Sequence, residues 1–210
     1  MPPHTFSEML HELQVDEGIV PIDLVSSWSD LEIQFIRSAL HNAWVDGEFE
    51  GREILLPSGL TNQSRGTKLW GEFRPLLEGH LQGISFESCR KVGYPDKQLV
   101  TALNRSFAFE EKAHTKWDTT DGNRVVICSS TKRLRETFTP PINHIWATLY
   151  HTVVNEGSHT ICTIHQLSLH FVEPRTIVNR RLEASTSNKL LHQSVENQLH
   201  TNISFGVLPE

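Results

Sequence analysis

The sequence predicts a mixed α/β fold. Two patterns point there: apolar residues at helical spacing dominate up to about residue 83, and strand-like runs rich in β-branched and aromatic residues dominate after it. A third observation bounds the size. The 210 residues, 38% of them hydrophobic, suffice for one substantial core, and no repeat or low-complexity linker divides the chain. The expected organisation is a helical N-terminal region over 1–83 and a core over 84–210, packed together as one compact domain.

Taken in order, Phe6 to Leu13 predicts a short amphipathic helix. Ser29-Asp30-Leu31-Glu32 has the form of a capping box, in which the serine and glutamate side chains each accept the other's free backbone N–H. It opens a helix through about Ala43, with Leu31, Phe35, Ile36, Leu40 and Ala43 at helical spacing. Pro57-Ser58-Gly59 and Asn62 to Gly66 form a turn-rich stretch, and Thr67 to Leu81 predicts another helix, stopped near Gly83. Gln98–Val100, Ser106–Ala113, Val125–Ser129 and His159–Val172 read as strands. Thr131–Thr137 suits a short helix or a turn. Pro140-Pro141 breaks the chain before Ile142–Val154, whose apolar run suits helix or strand, and Ser187–Leu199 predicts a final helix.

Composition excludes several classes. The start, Met1-Pro2-Pro3-His4, lacks the basic segment and apolar run of a secretory signal, and no stretch is long and apolar enough to span a bilayer. Cys89, Cys128 and Cys162 are odd in number and contain no CxxC, so they read as reduced thiols of a cytoplasmic protein without membrane contact. There is no GxxxxGK[ST] or GxGxxG, so no nucleotide cofactor is expected, and no GxSxG points to a serine hydrolase. The net charge of −6 is unevenly spread: residues 1–56 hold eleven acidic and two basic residues, a balance of −9, whereas residues 57–210 balance at +3. The larger part of the chain can therefore face a polyanion despite the overall sign.

The residues that carry chemistry lie between Gly93 and His114. Gly93-Tyr94-Pro95-Asp96 is followed, after thirteen residues, by Glu110-Glu111-Lys112. Side chains alternate along a strand, so Glu110 and Lys112 share one face while Glu111 takes the other. A hairpin turning at Leu103-Asn104 sets Asp96 opposite Glu110, with Cβ atoms about 4.5–5.5 Å apart. Two carboxylates that close repel unless a cation lies between them, and hard oxygen donors with room for water and phosphate suit Mg²⁺. Lys112 beside them is a point charge able to orient a water and offset charge on a reacting phosphate.

A carboxylate after proline, then Glu-x-Lys on an apolar strand, resembles the PD-(D/E)XK nucleases, and within them small type II restriction endonucleases. The resemblance covers roughly residues 84–135. It implies a restriction-endonuclease-like core, a central mixed sheet flanked by helices, with the helical N-terminal region serving dimerisation or embracing DNA. It further implies Mg²⁺-dependent hydrolysis, with one or two ions per site, at a short specific site on double-stranded DNA. Asp96, Glu110 and Lys112 would be catalytic, with Asp96 and Glu110 as metal ligands. Glu87, upstream of the Pro-Asp pair, would take the place of a third acidic residue. Glu111 departs from the pattern, which usually has an apolar residue there. Either that face of the strand is partly open or Glu111 has a histidine or arginine partner.

Ser129-Ser130-Thr131-Lys132-Arg133-Leu134-Arg135 combines hydroxyls and cations, so Ser129, Ser130, Thr131, Lys132, Arg133 and Arg135 are candidate DNA contacts. Arg175, Arg180, Arg181 and Lys189 form a second basic stretch. His159, Cys162 and His165 do not make a zinc site as a strand, because the two histidines would stand about 20 Å apart at roughly 3.3 Å per residue. Two-fold symmetry of a palindromic DNA site makes a homodimer the expected assembly. Repair nicking or junction resolution uses the same chemistry, and a non-catalytic DNA-binding protein uses the same fold.

Overall fold

In the computed structural model, residues 4–12, 25–81, 85–88, 97–100, 106–115, 143–183, 186–191 and 202–207 are described. The order is β1 (His4–Thr5), α1 (Phe6–Glu12), α2 (Asp30–Asp46), β2 (Glu53–Pro57), α3 (Asn62–His80), β3 (Ser85–Ser88), β4 (Lys97–Val100) and β5 (Ser106–His114). Then come β6 (Asn143–Glu156), β7 (His159–Val172), β8 (Ile177–Glu183), β9 (Thr186–Leu191) and β10 (Asn202–Gly206). Seven strands form one mixed sheet in the order β10-β7-β6-β5-β4-β3, with β2 also on β7, and β1-β8-β9 form a second. The expected mixed α/β architecture holds at this level. No helix among the described residues is long and apolar enough to cross a membrane.

Within the large sheet, β3, β4 and β5 are an antiparallel meander, β5 and β6 run parallel, and β6 and β7 return to antiparallel pairing. Ile142–Val154, open between helix and strand in the sequence, is strand from Asn143 onward. Both of its faces are buried from Asn143 to His151, the apolar residues Ile145, Ala147 and Leu149 on one and more polar residues on the other. Along β7 the partner on one edge changes: β10 pairs with 166–170 and β2 with 159–163. A bulge marks the change, for Tyr150 pairs with Gln166 but His151 with Ile164, leaving His165 as the extra residue. Gly206 packs against it, with φ +79° and a position where a Cβ would stand 2.2 Å from the His165 carbonyl oxygen. Only glycine serves there.

Alternate residues of the long strands, including Phe107, Phe109, Ile145, Ala147, Leu149, Leu169 and Phe171, join α2 and α3 in one buried core. The helix α2 has the expected capping box between Ser29 and Glu32. Its buried stripe is Ile36, Ala39, Leu40, Ala43 and Trp44, whereas Leu31 is 79% exposed and Phe35 42%. The apolar plug at the start of α2 is Trp28 instead, stacked on Phe107 at 4.7 Å and donating its indole N–H to the Val172 carbonyl. On the opposite sheet face, Phe6 of α1 meets the His144 ring edge-on at 4.8 Å. Helices therefore lie against both faces.

Three local expectations change. Asn62 to Gly66 is the first turn of α3 rather than a loop, because Thr61 caps it by accepting from the Ser64 N–H. Ser187–Leu191, expected as helix, lies in β9, where pairing with Ile177–Glu183 outweighs local helical pattern. The remainder of that expected helix, and the expected elements at 125–129 and 131–137, lie outside the described residues. Finally, the region 1–83 is not purely helical, since it supplies β1 to the small sheet and β2 to the large one.

Candidate active site

Position on β5 decides the arrangement. Its odd residues Phe107 and Phe109 enter the core beneath α3, so Glu111 and Ala113 follow on that face, and Ala108, Glu110 and Lys112 take the other. Lys112 Nζ donates to Glu110 Oε1 at 2.6 Å. Both side chains are largely withdrawn from water, with 8% exposure for Glu110 and 16% for Lys112. A carboxylate and an ammonium held this close in a partly desolvated place attract more strongly than a surface pair would.

Glu111, the departure from the expected pattern, has an arginine partner. Arg74 of α3 grips it with two guanidinium nitrogens, Nε donating to Oε1 at 2.8 Å and Nη2 to Oε2. The Glu111 side chain is 3% exposed. Its charge is thus neutralised by a fork that matches a carboxylate. Two further contacts from α3 fix β5 in place. Trp70 Nε1 donates to the Lys112 carbonyl oxygen at 2.9 Å, and Gly66 approaches so closely that an added Cβ would lie 3.1 Å from Ala113 Cβ. Gly66, Trp70 and Arg74 recur every four residues, one stripe of the helix. That spacing is the sequence signal for them, and it is concealed when Asn62 to Gly66 is read as a turn.

The hairpin β4–β5 has the register expected from the sequence: Lys97 pairs with Phe109, Gln98 with Ala108 and Leu99 with Phe107. Asp96 itself lies outside the described residues, as do Ser129, Ser130, Thr131, Lys132, Arg133 and Arg135. Glu87 pairs with Gln98, which pairs with Ala108, so its register position falls on the Glu110 side of the sheet, two strands from β5. Two strand spacings amount to roughly 10 Å. Among the described residues no group of three His, Cys, Asp or Glu is gathered to hold a metal ion. Glu110 supplies a hard oxygen donor of the kind Mg²⁺ takes, and the other ligand expected from the sequence, Asp96, is the neighbour in sequence of Lys97.

Beyond β5 the same face continues as two polar rows. Glu110 is paired in register with Trp146, and Trp146 with His170; Lys112 with Thr148, Thr148 with Ser168, and Ser168 with Ser204. Ser168 and Ser204 share a hydrogen bond at 3.1 Å. The Trp146 and His170 rings stand 5.3 Å apart. Among the described residues neither His170 ring nitrogen has a hydrogen-bond partner, and burial lowers its pKa to about 4. It is therefore a neutral imidazole at physiological pH. The signal is present in the sequence, where polar residues alternate with apolar ones through His144–Tyr150 and Gln166–His170.

The remaining histidine candidates separate. His165 Nε2 is bonded to Thr152 Oγ1 at 2.9 Å and His159 Nδ1 to Ser158 Oγ at 2.9 Å. Cys162 is buried in the core between them in sequence, where desolvation raises its thiol pKa. On the α3 face, the pKa of His151 is lowered to about 4, first by burial and then by the nearby Arg65 guanidinium. A scan against protein-family models finds no match to this chain, and a search of curated proteins finds none either.

Proposed function

We propose that this chain is a Mg²⁺-dependent endodeoxyribonuclease of the PD-(D/E)XK type, acting as a restriction enzyme on a short site in double-stranded DNA. The observation that carries the reading is the Glu110–Lys112 pair at 2.6 Å on one face of β5, with Glu111 taken up by Arg74 on the other. An exposed Glu-x-Lys would be an ordinary solvated strand. Here the two active groups are withdrawn from water and the extra carboxylate is neutralised, which leaves Glu110 and Lys112 as one chemical unit. The sheet supports the reading too. A three-strand meander followed by a parallel strand puts that unit on a central strand, β5, with β4 and β6 on its two sides.

In this mechanism Asp96 and Glu110 would hold Mg²⁺, which when bound would supply Lewis acidity toward the scissile phosphate and a water. Lys112 leaves Glu110 for the reacting phosphate, where its ammonium orients the attacking water and offsets the developing negative charge. Trp70 holds the β5 backbone at Lys112 and Arg74 holds the Glu111 side chain on the other face, so that the Glu110 and Lys112 side chains keep their direction. A homodimer presents one such centre to each strand. The plasmid assay is direct: purified chain with supercoiled DNA and Mg²⁺. Discrete linear fragments support site-specific cutting. A smear or nicked circles support a repair or junction nuclease, and intact plasmid at every metal tested rejects nuclease activity.

One observation favours a second reading. A lysine and a glutamate that are both mostly buried also suit a structural ion pair in a non-catalytic DNA-binding protein. Intact plasmid, together with retained duplex binding, would select it.

A further inference from the structure

Arg180, Arg181 and Lys189 belong to one basic stretch of the sequence, and strand pairing brings Lys189 opposite Arg180. The antiparallel register of β8 and β9 sets Arg180 opposite Lys189 and Arg181 opposite Asn188. Among the described residues β1 pairs with β8 at Ile177 and Val178. From Asn179 onward the described pairing of this hairpin is with itself alone, and neither strand belongs to the large sheet. Among the described residues it is a two-stranded hairpin beyond Val178. Its five pairs, from Asn179–Leu190 to Glu183–Thr186, extend roughly 17 Å at about 3.4 Å per residue.

Within those pairs the charged residues are Arg180, Arg181, Lys189 and Glu183, a balance of +2 in a chain of net charge −6. Like charges at directly paired positions disfavour a hairpin. The register sets two cations, Arg180 and Lys189, at directly paired positions, an arrangement that an anionic partner would favour. A two-stranded ribbon fits the major groove of B-DNA, about 12 Å wide, with phosphates along both walls. We propose that the β8–β9 arm grips duplex DNA through Arg180, Arg181 and Lys189, which bind phosphates outside the cutting centre. The partner is taken from the nuclease reading above; the arm itself is argued from pairing and charge.

The test uses the full chain in metal-free buffer, so that binding is measured without cutting. A fluorescent DNA duplex is titrated at several salt concentrations with wild type and with R180Q/R181Q/K189Q. The triple variant should bind at least tenfold more weakly, and its slope of log affinity against log salt should fall by about 0.9 for each phosphate no longer neutralised. R180K/R181K, which keeps the charges, should retain most of the affinity. If the triple variant shows no cooperative thermal transition, the single variants R181Q and K189Q carry the test, each expected to flatten the slope by about 0.9. Wild-type affinity and slope in folded variants would overturn the arm, as would wild type that binds single-stranded RNA but not duplex. The two proposals fail separately. Cutting by wild type with an unchanged salt slope in the variants rejects the arm alone, while duplex binding without cutting, lost in the variants, rejects the nuclease alone.

Discussion

Arg74 of α3 and Glu111 of β5 form a two-pronged ion pair directly behind the strand face that carries Glu110 and Lys112. The glutamate is 3% exposed and the arginine 25%, so the pair is mostly desolvated. Removing the arginine takes the two-pronged cation from a carboxylate that is 3% exposed, which costs about 3–5 kcal/mol. Arg74→Ala should therefore lower the unfolding free energy by about that amount. Replacing both, as Arg74→Met with Glu111→Leu, should recover most of the loss, because no charge is then stranded. Urea titrations of Arg74→Met, Glu111→Leu and the double form the cycle. Additive losses would show that the two residues do not act on each other.

The lysine sets two demands against each other. Lys112→Ala should abolish cleavage, with a rate loss of at least about a hundredfold. It should also reduce stability, because the Glu110 side chain, 8% exposed, loses the cation 2.6 Å away. Lys112→Ala with Glu110→Gln removes that stranded charge and should recover stability without recovering activity. Calorimetry and plasmid cleavage of the same preparations separate the two effects. A Lys112→Ala protein with wild-type cleavage would remove the residue from the mechanism.

Acid should destabilise the fold through two histidines. His170 and His151 have folded-state pKa values of about 4, both lowered chiefly by burial from the ordinary 6.5. Below pH 6.5 the unfolded chain takes up protons that the folded chain refuses. Stability from these groups is thus complete above that pH and lost as pH falls toward 4. Each contributes a slope of at most about 1.4 kcal/mol per pH unit within that window. Denaturant midpoints measured from pH 7 to 4.5 should fall, and His170→Phe should flatten the fall. An identical slope in that variant would assign the acid sensitivity to other groups.

Gly206 is the most position-sensitive glycine near the sheet. Its φ of +79° strains any other residue, and an added methyl would lie 2.2 Å from the His165 carbonyl oxygen and 2.8 Å from the Trp44 ring. Gly206→Ala should cost about 1–3 kcal/mol from backbone conformation alone, with the clash adding to it. Thermal melts of Gly206→Ala beside Gly71→Ala, whose Cβ would meet no neighbour within 4 Å, provide the comparison. Equal midpoints would show that β10 detaches from the bulge readily.

The sequence by itself determined the features that follow from local covalent and periodic rules. Ser29 and Glu32 are close along the chain, so their capping box is legible from four residues. The two-residue period of a strand likewise separates Glu110 and Lys112 from Glu111 without any knowledge of the rest of the fold. The helix-to-strand shift along the chain set a mixed α/β class for the same reason. What only the tertiary structure decided depends on residues far apart in sequence. Arg74 is 37 positions from Glu111, and the periodicity of α3 alone cannot name the strand beneath it. β2 and β10 are five-residue strands whose identity comes from sharing the edge of β7 on either side of the His165 bulge. The tail at Ser187–Leu191 carries a helical pattern, yet β8 offers it a ladder of hydrogen bonds. Local preference is worth about tenths of a kcal/mol per residue, and a paired strand outweighs it once the fold brings the partner alongside.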